Sequence, residues 1–520
     1  MRRLMLACGF VAAVSTAGVR PVATEAPAVT FTKDVAPILH AKCVACHRAG
    51  EVAPMSLLTY QDARPYARAI RDKVVSRSMP PWFADPKFGS FANDARLSAT
   101  EIDTIAKWVD TGAPQGDAKD MPNAPRFTDG WQLGEPDLIV ELPEVQIPAA
   151  MPNGGDYFPT PNVAMDLKED RWIRALEIRP SNREVTHHSV IFSTAGSAMG
   201  PSGVFDVLGV WAVGTPATRY PDGQGRWLRK GQTLRTNLHY HPNGQPQVDR
   251  TKVGFYFGKG ELKKEVVAGL AGNIAFAIPP QANNFEMRAA WIADQDVDIV
   301  SLFPHMHLRG RDMAMTATYP DGRSETLLSV PQYDFNWQLF YYPKTNIRLP
   351  KGTHVDLVAH YDNSSANKRN PDPNRRVTFG EASTAEMMFG MFEYTAADGV
   401  SPAPSTPQKR VAALLSSFKE SAYAVDIVRP RQTIPSVLYI PPSGDGAWYV
   451  PTFGMLFVSP IKPVWKGNTF EFEGVLHVGA GPGDPPFTVK GERLEDGSIK
   501  AAIESIDGKA IPMAGFTGRR

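Results

Sequence analysis

Histidine placement constrains this chain more tightly than any other feature. The chain has 520 residues and 11 histidines, and beyond His47 six of the remaining nine fall in three compact pairs: His187/His188, His239/His241 and His305/His307. Random placement rarely gives that. The last pair lies in Phe303-Pro304-His305-Met306-His307-Leu308, at the end of the apolar run 297–302. The run is β-branched enough to read as a strand, in which side chains at i and i+2 leave the same face. His305 and His307 then point together while Met306 points away, which puts two imidazoles on one rigid element. One such pair is weak evidence. Three of them mark the middle of the sequence as a metal-binding module. Consecutive strand residues face opposite sides, so His187 and His188 share a metal only if a bulge or twist intervenes.

The formal net charge is +1, from 55 basic and 54 acidic residues, so nothing in the balance points to nucleic acid or to a strongly acidic partner. With 43 Gly and 46 Pro and turn signals throughout, the composition favours β-sandwich material over helical bundles. The length suits roughly three or four domains. Residues 1–23 read as a secretory signal: Arg2 and Arg3, an apolar stretch over 4–14, then Ser15-Thr16-Ala17 as a cleavage site. That stretch is too short to span a bilayer, and no later apolar run reaches about 18 residues. The expectation is an exported protein, periplasmic or secreted, with no transmembrane segment; Cys8 inside the signal offers a lipoprotein as the alternative. Once Cys8 is removed, only Cys43 and Cys46 remain, and stability rests on cores and metals rather than disulfides.

Cys43-Val44-Ala45-Cys46-His47 is C-x-x-C-H, the attachment motif of a c-type haem. Two thiols add across the porphyrin vinyls and the adjoining His47 supplies the proximal iron ligand. A redox dithiol would not need His47, and a four-cysteine zinc site lacks its other pair. Val35, Ile38 and Leu39 suggest a helix entering the motif. Ser98-Ala99-Thr100-Glu101 is a capping box, followed by Ile102, Ile105, Ala106 and Val109 at helical spacing, with Gly112 and Pro114 as the stop. Residues 28–117 thus read as a cytochrome c-like domain. The distal ligand is assigned to Met79, in the proline-stiffened Ser78-Met79-Pro80-Pro81-Trp82, with Met55 as competitor. Residues 118–135 are polar, dotted with Pro and Gly, and read as a linker.

From residue 136 short β-rich segments alternate with turns (138–142, 172–178, 190–193, 253–257), as in antiparallel sandwiches. A Gly-rich seam over 269–281 divides the region into 136–270 and 271–398, each with its own histidines. His305 and His307 need a third ligand, and Met387, in Glu386-Met387-Met388, is the candidate; its alternative is a plain core methionine. His241 reads as an exposed neighbour, His360 as a satisfied sheet residue and His354, in a Lys351-Gly352-Thr353 turn, as surface. Beyond a linker at 401–404 and a short helix over 411–418, residues 399–520 read as a small β domain with hairpin signals at Asp496-Gly497 and Asp507-Gly508. His477 stands alone in one of its strands.

In order along the chain, His187-His188, Leu238-His239-Tyr240, His305-Met306-His307 and Glu386-Met387 resemble the motifs of the copper type II (ascorbate-dependent) monooxygenases. That is the family of peptidylglycine α-hydroxylating and dopamine β-monooxygenases. Asp334-Phe335-Asn336-Trp337-Gln338, His360-Tyr361-Asp362-Asn363-Ser364 and Asn370-Pro371-Asp372-Pro373 are similar to stretches of bacterial relatives with a fused N-terminal cytochrome c domain. The resemblance implies a multidomain fold: an α-helical cytochrome c-like domain, two antiparallel β-sandwich (jelly-roll-like) copper domains facing each other across a solvent-filled cleft, and a small mostly-β C-terminal domain.

It also implies that His187, His188 and His239 bind an electron-storing copper. His305, His307 and Met387 would bind the copper that meets O2 and substrate. The donor chemistry is consistent, since imidazoles suit either copper state and a thioether favours Cu(I). The implied cofactors are two copper ions and one covalently attached haem c. The implied partners are O2, a small-molecule or peptide substrate, and an electron donor (ascorbate or a redox protein). The implied reaction is hydroxylation of a C–H bond. The animal enzymes brace their sandwiches with disulfides for which this chain has no cysteines. The competing reading is a non-enzymatic haem–copper electron carrier or copper-handling protein. Zinc has no comparable use for Met387, which counts against a hydrolase.

Overall fold

The computed structural model describes residues 29–127, 130–152, 155–194, 206–429, 432–452, 455–475, 486–506 and 509–519, with positions 50 and 52 also outside. The signal segment, Cys8, His477 and the Asp507-Gly508 turn lie outside the described residues. The chain is mostly β; its described helices lie between Phe31 and Asp120 and between Pro407 and Ser421.

The N-terminal helices are short: Ala36–Lys42, Tyr60–Ala63, Ala67–Val75 and Ala99–Asp110. The last begins where its sequence dictates. Ser98 accepts from the Glu101 backbone at 3.2 Å, and Glu101 accepts from the Ser98 backbone at 2.7 Å, so two orphan donors of the first turn are satisfied reciprocally. Phe31, Leu39, Ile70, Ile105 and Trp108 form the common core. The intervening arm, 82–93, leaves that core and packs elsewhere. Trp82 and Phe91 lie edge-on to Tyr341, with ring centroids 4.9 and 5.4 Å away. Asp85 and Ala92 donate backbone bonds to Ser329 and Tyr342 at 2.8 and 2.7 Å.

Two sheets make the first β unit. One places Leu138–Glu141, Lys252–Phe257, Arg171–Arg179, Gln224–Leu228 and Lys264–Glu265 side by side, and the other Asn162–Ala164, Thr233–Tyr240, Thr186–Thr194 and Asp206–Ala212. Ile173, Leu176, Ile191, Leu234 and Phe255 fill the space between them. The segment 118–135 is more than a tether: Gln132 donates its backbone N–H to Glu177 at 2.8 Å, and the Trp131 ring sits over Gly254.

The second β unit opposes Val267–Asn273, Met388–Ala396, Val297–His305 and Ile347–Leu349 to a sheet containing Ser324–Val330, Gly310–Thr318, His354–Tyr361 and Phe285–Ile292. The Gly-rich seam expected over 269–281 begins inside a strand, because Val267–Asn273 pairs antiparallel with Met388–Ala396. Gly269 and Gly272 are there for space. A Cβ at either would stand 2.3 Å from the Phe392 ring or 2.6 Å from the Phe389 ring. Ala290 pairs with Leu456, and the outer sheet runs on without a break into the C-terminal strands, thirteen in all. Helix Pro407–Phe418 starts four residues earlier than its apolar pattern predicts, capped by Thr406, and buries Val411, Ala413 and Leu414 on that continuation.

Candidate metal centre

The strand pairing around His187 answers the question its sequence poses. Thr186 lies opposite Tyr240 while His188 lies opposite His239, so the register slips by one and His187 is the extra residue of a β-bulge. Without the bulge, neighbours would face opposite sides of the sheet. With it, the Nδ1 atoms of His187 and His188 are 3.2 Å apart, and those of His188 and His239 are 3.4 Å apart. One ligand atom from each of the three rings falls within 4.8 Å of the others. His187 and His239 are 7 % and 1 % exposed. Burial is the largest cause pushing all three pKa values below the ordinary range, and neighbouring imidazoles add to it. Three neutral rings aim lone pairs at one another, and at most one proton serves each N···N contact. A cation would satisfy all three.

His305 ends the Val297–His305 strand, with His307 two residues on. Their Nδ1 atoms are engaged by the protein: His305 by Gln338 Oε1 at 2.9 Å and His307 by the Ala385 carbonyl at 3.3 Å. The amide of Gln338 is oriented by its own bonds, since Nε2 donates to the Phe335 carbonyl at 2.8 Å and to Tyr333 Oη at 3.2 Å. Its oxygen is therefore the acceptor, His305 carries its proton on Nδ1, and Nε2 is left as the ligand atom. A backbone carbonyl acts likewise on His307. Burial drives the His305 pKa down to about 4 and that of His307 well below the ordinary value.

Glu386, the neighbour of Met387, is tied to the His307 segment. The Glu386 carboxylate, fully buried, accepts the backbone N–H of His307 at 2.8 Å, of Arg309 at 2.7 Å and of Met387 at 3.3 Å. Tyr361 Oη holds the Met387 carbonyl at 2.8 Å. In the adjoining strand pair His305 faces Phe389, where the pairing ends, one residue short of Met387's neighbour Met388, the first residue of its strand. Arg309, the cation nearest these histidines in the sequence, gives Nε to Asn363 Oδ1 and Nη1 to the Thr384 carbonyl, which fastens the loop, and its Nη2 is buried without a partner.

The two histidine groups do not stand apart across a solvent-filled cleft. Ring centroids of His188 and His305 are 6.5 Å apart. Phe335 fills the space between the groups, stacked on His187 at 4.5 Å and edge-on to His307 at 5.6 Å. This corrects the expectation drawn from the resemblance: the Phe335 ring packs between the two groups.

In the C-x-x-C-H segment the backbone turns tightly, with Cys46 and His47 both donating to the Cys43 carbonyl at 3.1 and 2.9 Å. Cys43 and Cys46 are free thiols. Burial pushes Cys43 up to about 12 and raises Cys46, whereas redox and zinc thiols are activated by a depressed pKa. Burial also lowers the His47 pKa, and its Nδ1 is buried without a partner. Met79 follows helix Ala67–Val75, its N–H on the Lys73 carbonyl at 3.2 Å, and is partly buried. Met55 packs against the helical core. The loop just past the motif also touches the first β unit, since Arg183, four residues before His187, pairs with Glu51.

Of the remaining histidines, His241 is half exposed and pairs with Asp156, and His360 is held in its sheet by Asp312 at 2.7 Å. His354, expected at the surface, is 3 % exposed, closed over by Phe418 and Tyr449 at 5.4 and 5.3 Å. Sequence reasoning passed over Asp156, Gln338 and Phe335 as parts of the site; the last two lie in a stretch quoted only for its similarity. A cavity of about 1160 Å³ lined by Glu286, Arg288, Tyr449, Phe470 and Lys490 includes none of the histidines. Among the described residues no helix is long and apolar enough to cross a membrane.

No family model matches the chain, and no curated protein does. Among solved structures it is similar to the infectious bursal disease virus VP2 subviral particle at 11% identity, over 50% of this chain and 73% of that one, with a TM-score of 0.15. A score that low carries no argument about fold or function.

Proposed function

We propose that this protein is an exported copper-dependent monooxygenase that hydroxylates a C–H bond with O2, its electrons delivered through a fused c-type haem. The observation that carries the reading is the bulge at His187, which brings its Nδ1 beside that of His188, itself beside that of His239. In this reading His187, His188 and His239 hold one copper through Nδ1, and His305 and His307, through Nε2, hold the other with Met387. Cys43, Cys46 and His47 hold the haem, with Met79 as its second axial ligand. The bound metals supply one-electron and O2 chemistry. The chain supplies the rest: Gln338 and the Ala385 carbonyl fix the tautomers, Glu386 sets the spacing of His307 and Met387, and Phe335 excludes water. A soft thioether beside two imidazoles favours Cu(I) at the second site.

Metal analysis of protein purified from the periplasm or medium, combined with electron paramagnetic resonance, tests this. Two coppers per haem, with O2 consumption by the reduced protein rising with candidate substrates, supports the reading. Zinc at both sites defeats it. One observation favours the competing reading of an electron carrier: His188 and His305 stand ring to ring, with little room for a substrate. That reading predicts copper binding and haem reduction with no O2-dependent product.

A further inference from the structure

Asp156 belongs to no strand and to none of the sequence motifs, yet its side chain is 7 % exposed and its carboxylate gathers three groups. Oδ2 lies 3.0 Å from Nε2 of His239 and also accepts the Ser383 hydroxyl. Oδ1 lies 2.5 Å from Nδ1 of His241. Burial opposes its charge, but the bonds from His239 and His241 outweigh that and hold its pKa well below the usual carboxylate range. His239 and His241 come from the first β unit. Ser383 comes from the loop of the second that presents the Ala385 carbonyl to His307 and the Glu386 carboxylate to His307, Arg309 and Met387.

We propose that Asp156 is a positioning residue that serves both copper sites at once: it fixes the His239 ring for ligation through Nδ1, and through Ser383 it ties the first β unit to the loop carrying Met387. The inference rests on the copper reading above. A carboxylate at the far nitrogen of a ligating imidazole selects the tautomer, orients the ring and raises its basicity. Here the negative charge 3.0 Å from Nε2 favours the proton on that nitrogen and leaves the Nδ1 lone pair facing His188, while the contact itself lies off the direction of a formed hydrogen bond. The same oxygen also accepts from Ser383, so the loop carrying Met387 is fastened to the carboxylate that stands beside His239.

The test is Cu(I) titration of the full haem-containing protein against a chromophoric chelator, with electron paramagnetic resonance of the Cu(II) form, for wild type, Asp156→Asn and Ser383→Ala. Asp156→Asn keeps the shape and removes the charge. It is expected to weaken one of the two sites by about 10–100-fold, the usual effect of losing such a partner, and to change that site's Cu(II) spectrum. Ser383→Ala is expected to hold first-site affinity within about twofold of wild type while speeding hydrogen exchange over 380–387. If Asp156→Asn fails to fold, Asp156→Glu, which keeps the charge on a longer arm, should show the same spectral change with a smaller loss. Wild-type affinity and spectrum in both Asp156 variants would overturn the inference. So would a third copper in wild type that Asp156→Asn removes, which would make Asp156 a ligand, and so would equal weakening by Ser383→Ala, which would mean general loosening. A wild-type protein that binds no copper would instead remove the copper reading itself.

Discussion

Truncating Trp82 to alanine should loosen the arm that joins the N-terminal helical unit to the second β unit. Trp82 is 9 % exposed and belongs to the core of that β unit, packed edge-on against Tyr341 and Phe91. Losing a buried aromatic side chain costs about 3–5 kcal/mol, of which the Trp82–Tyr341 ring pair accounts for about 0.5–1.5 kcal/mol beyond area burial. The backbone bonds of Asp85 and Ala92 and the two side-chain bonds of Asn93 to Phe340 and Tyr342 remain, so the arm loosens without the β unit unfolding. Urea denaturation of Trp82→Ala, Tyr341→Ala and the double variant gives the cycle, and limited proteolysis across 78–95 reports the loosening. The single variants should each shift the midpoint down, and the double should cost less than their sum by the pair energy. Additivity within about 0.3 kcal/mol, or an arm no more sensitive to protease than wild type, would refute the contact.

Replacing Met387 with isoleucine should lower Cu(I) affinity at the His305/His307 site while sparing the other copper and the haem, as read by chelator competition and the haem spectrum; equal loss at both sites would contradict the assignment. Glu386→Ala strands three buried N–H donors, each worth about 1–3 kcal/mol when left without a partner, and should lower the unfolding midpoint sharply even without metal. The metal-free protein should lose stability as pH falls from about 6.5 to 4. His305 titrates near 4 when folded and near 6.5 when unfolded, so the unfolded chain binds the extra proton in that window and the loss from this ring reaches about 3 kcal/mol below it. Urea midpoints at several pH values in that window check the sign, and a midpoint that rises on acidification would refute it.

The features legible in the sequence are those whose cause is local. The helix at Ala99–Asp110 is announced by Ser98 and Glu101, and the nearness of His305 to His307 follows from their i, i+2 spacing, although the strand stops at His305 and Glu386 holds the His307 backbone. What the sequence concealed depends on distant partners. No pattern marks a bulge at His187; it arises from how Thr186 and His188 register against Tyr240 and His239. Glycines 269 and 272 read as a break because glycine usually punctuates, whereas here Phe392 and Phe389 lie over them. His354 follows a turn and reads as surface until Phe418 and Tyr449, from beyond the apparent domain boundary, cover it. Asp156 sits in an irregular stretch between glycines and prolines, where no spacing rule applies. The two thiols, His47 and the three histidine pairs were all visible as candidates, because metal chemistry restricts which residues can serve; their mutual distances were not.

The thirteen-strand sheet has a consequence for anyone dividing this protein into pieces. Because Phe285–Ile292 shares the Ala290–Leu456 pairing and a common core with the C-terminal strands and the Pro407–Phe418 helix, ending an expression clone near residue 398 would cut through one continuous layer. The freed flank would offer unpaired amides and carbonyls to any neighbouring chain. Such a fragment should precipitate or self-associate, while clones that retain the terminal strands stay monodisperse by light scattering.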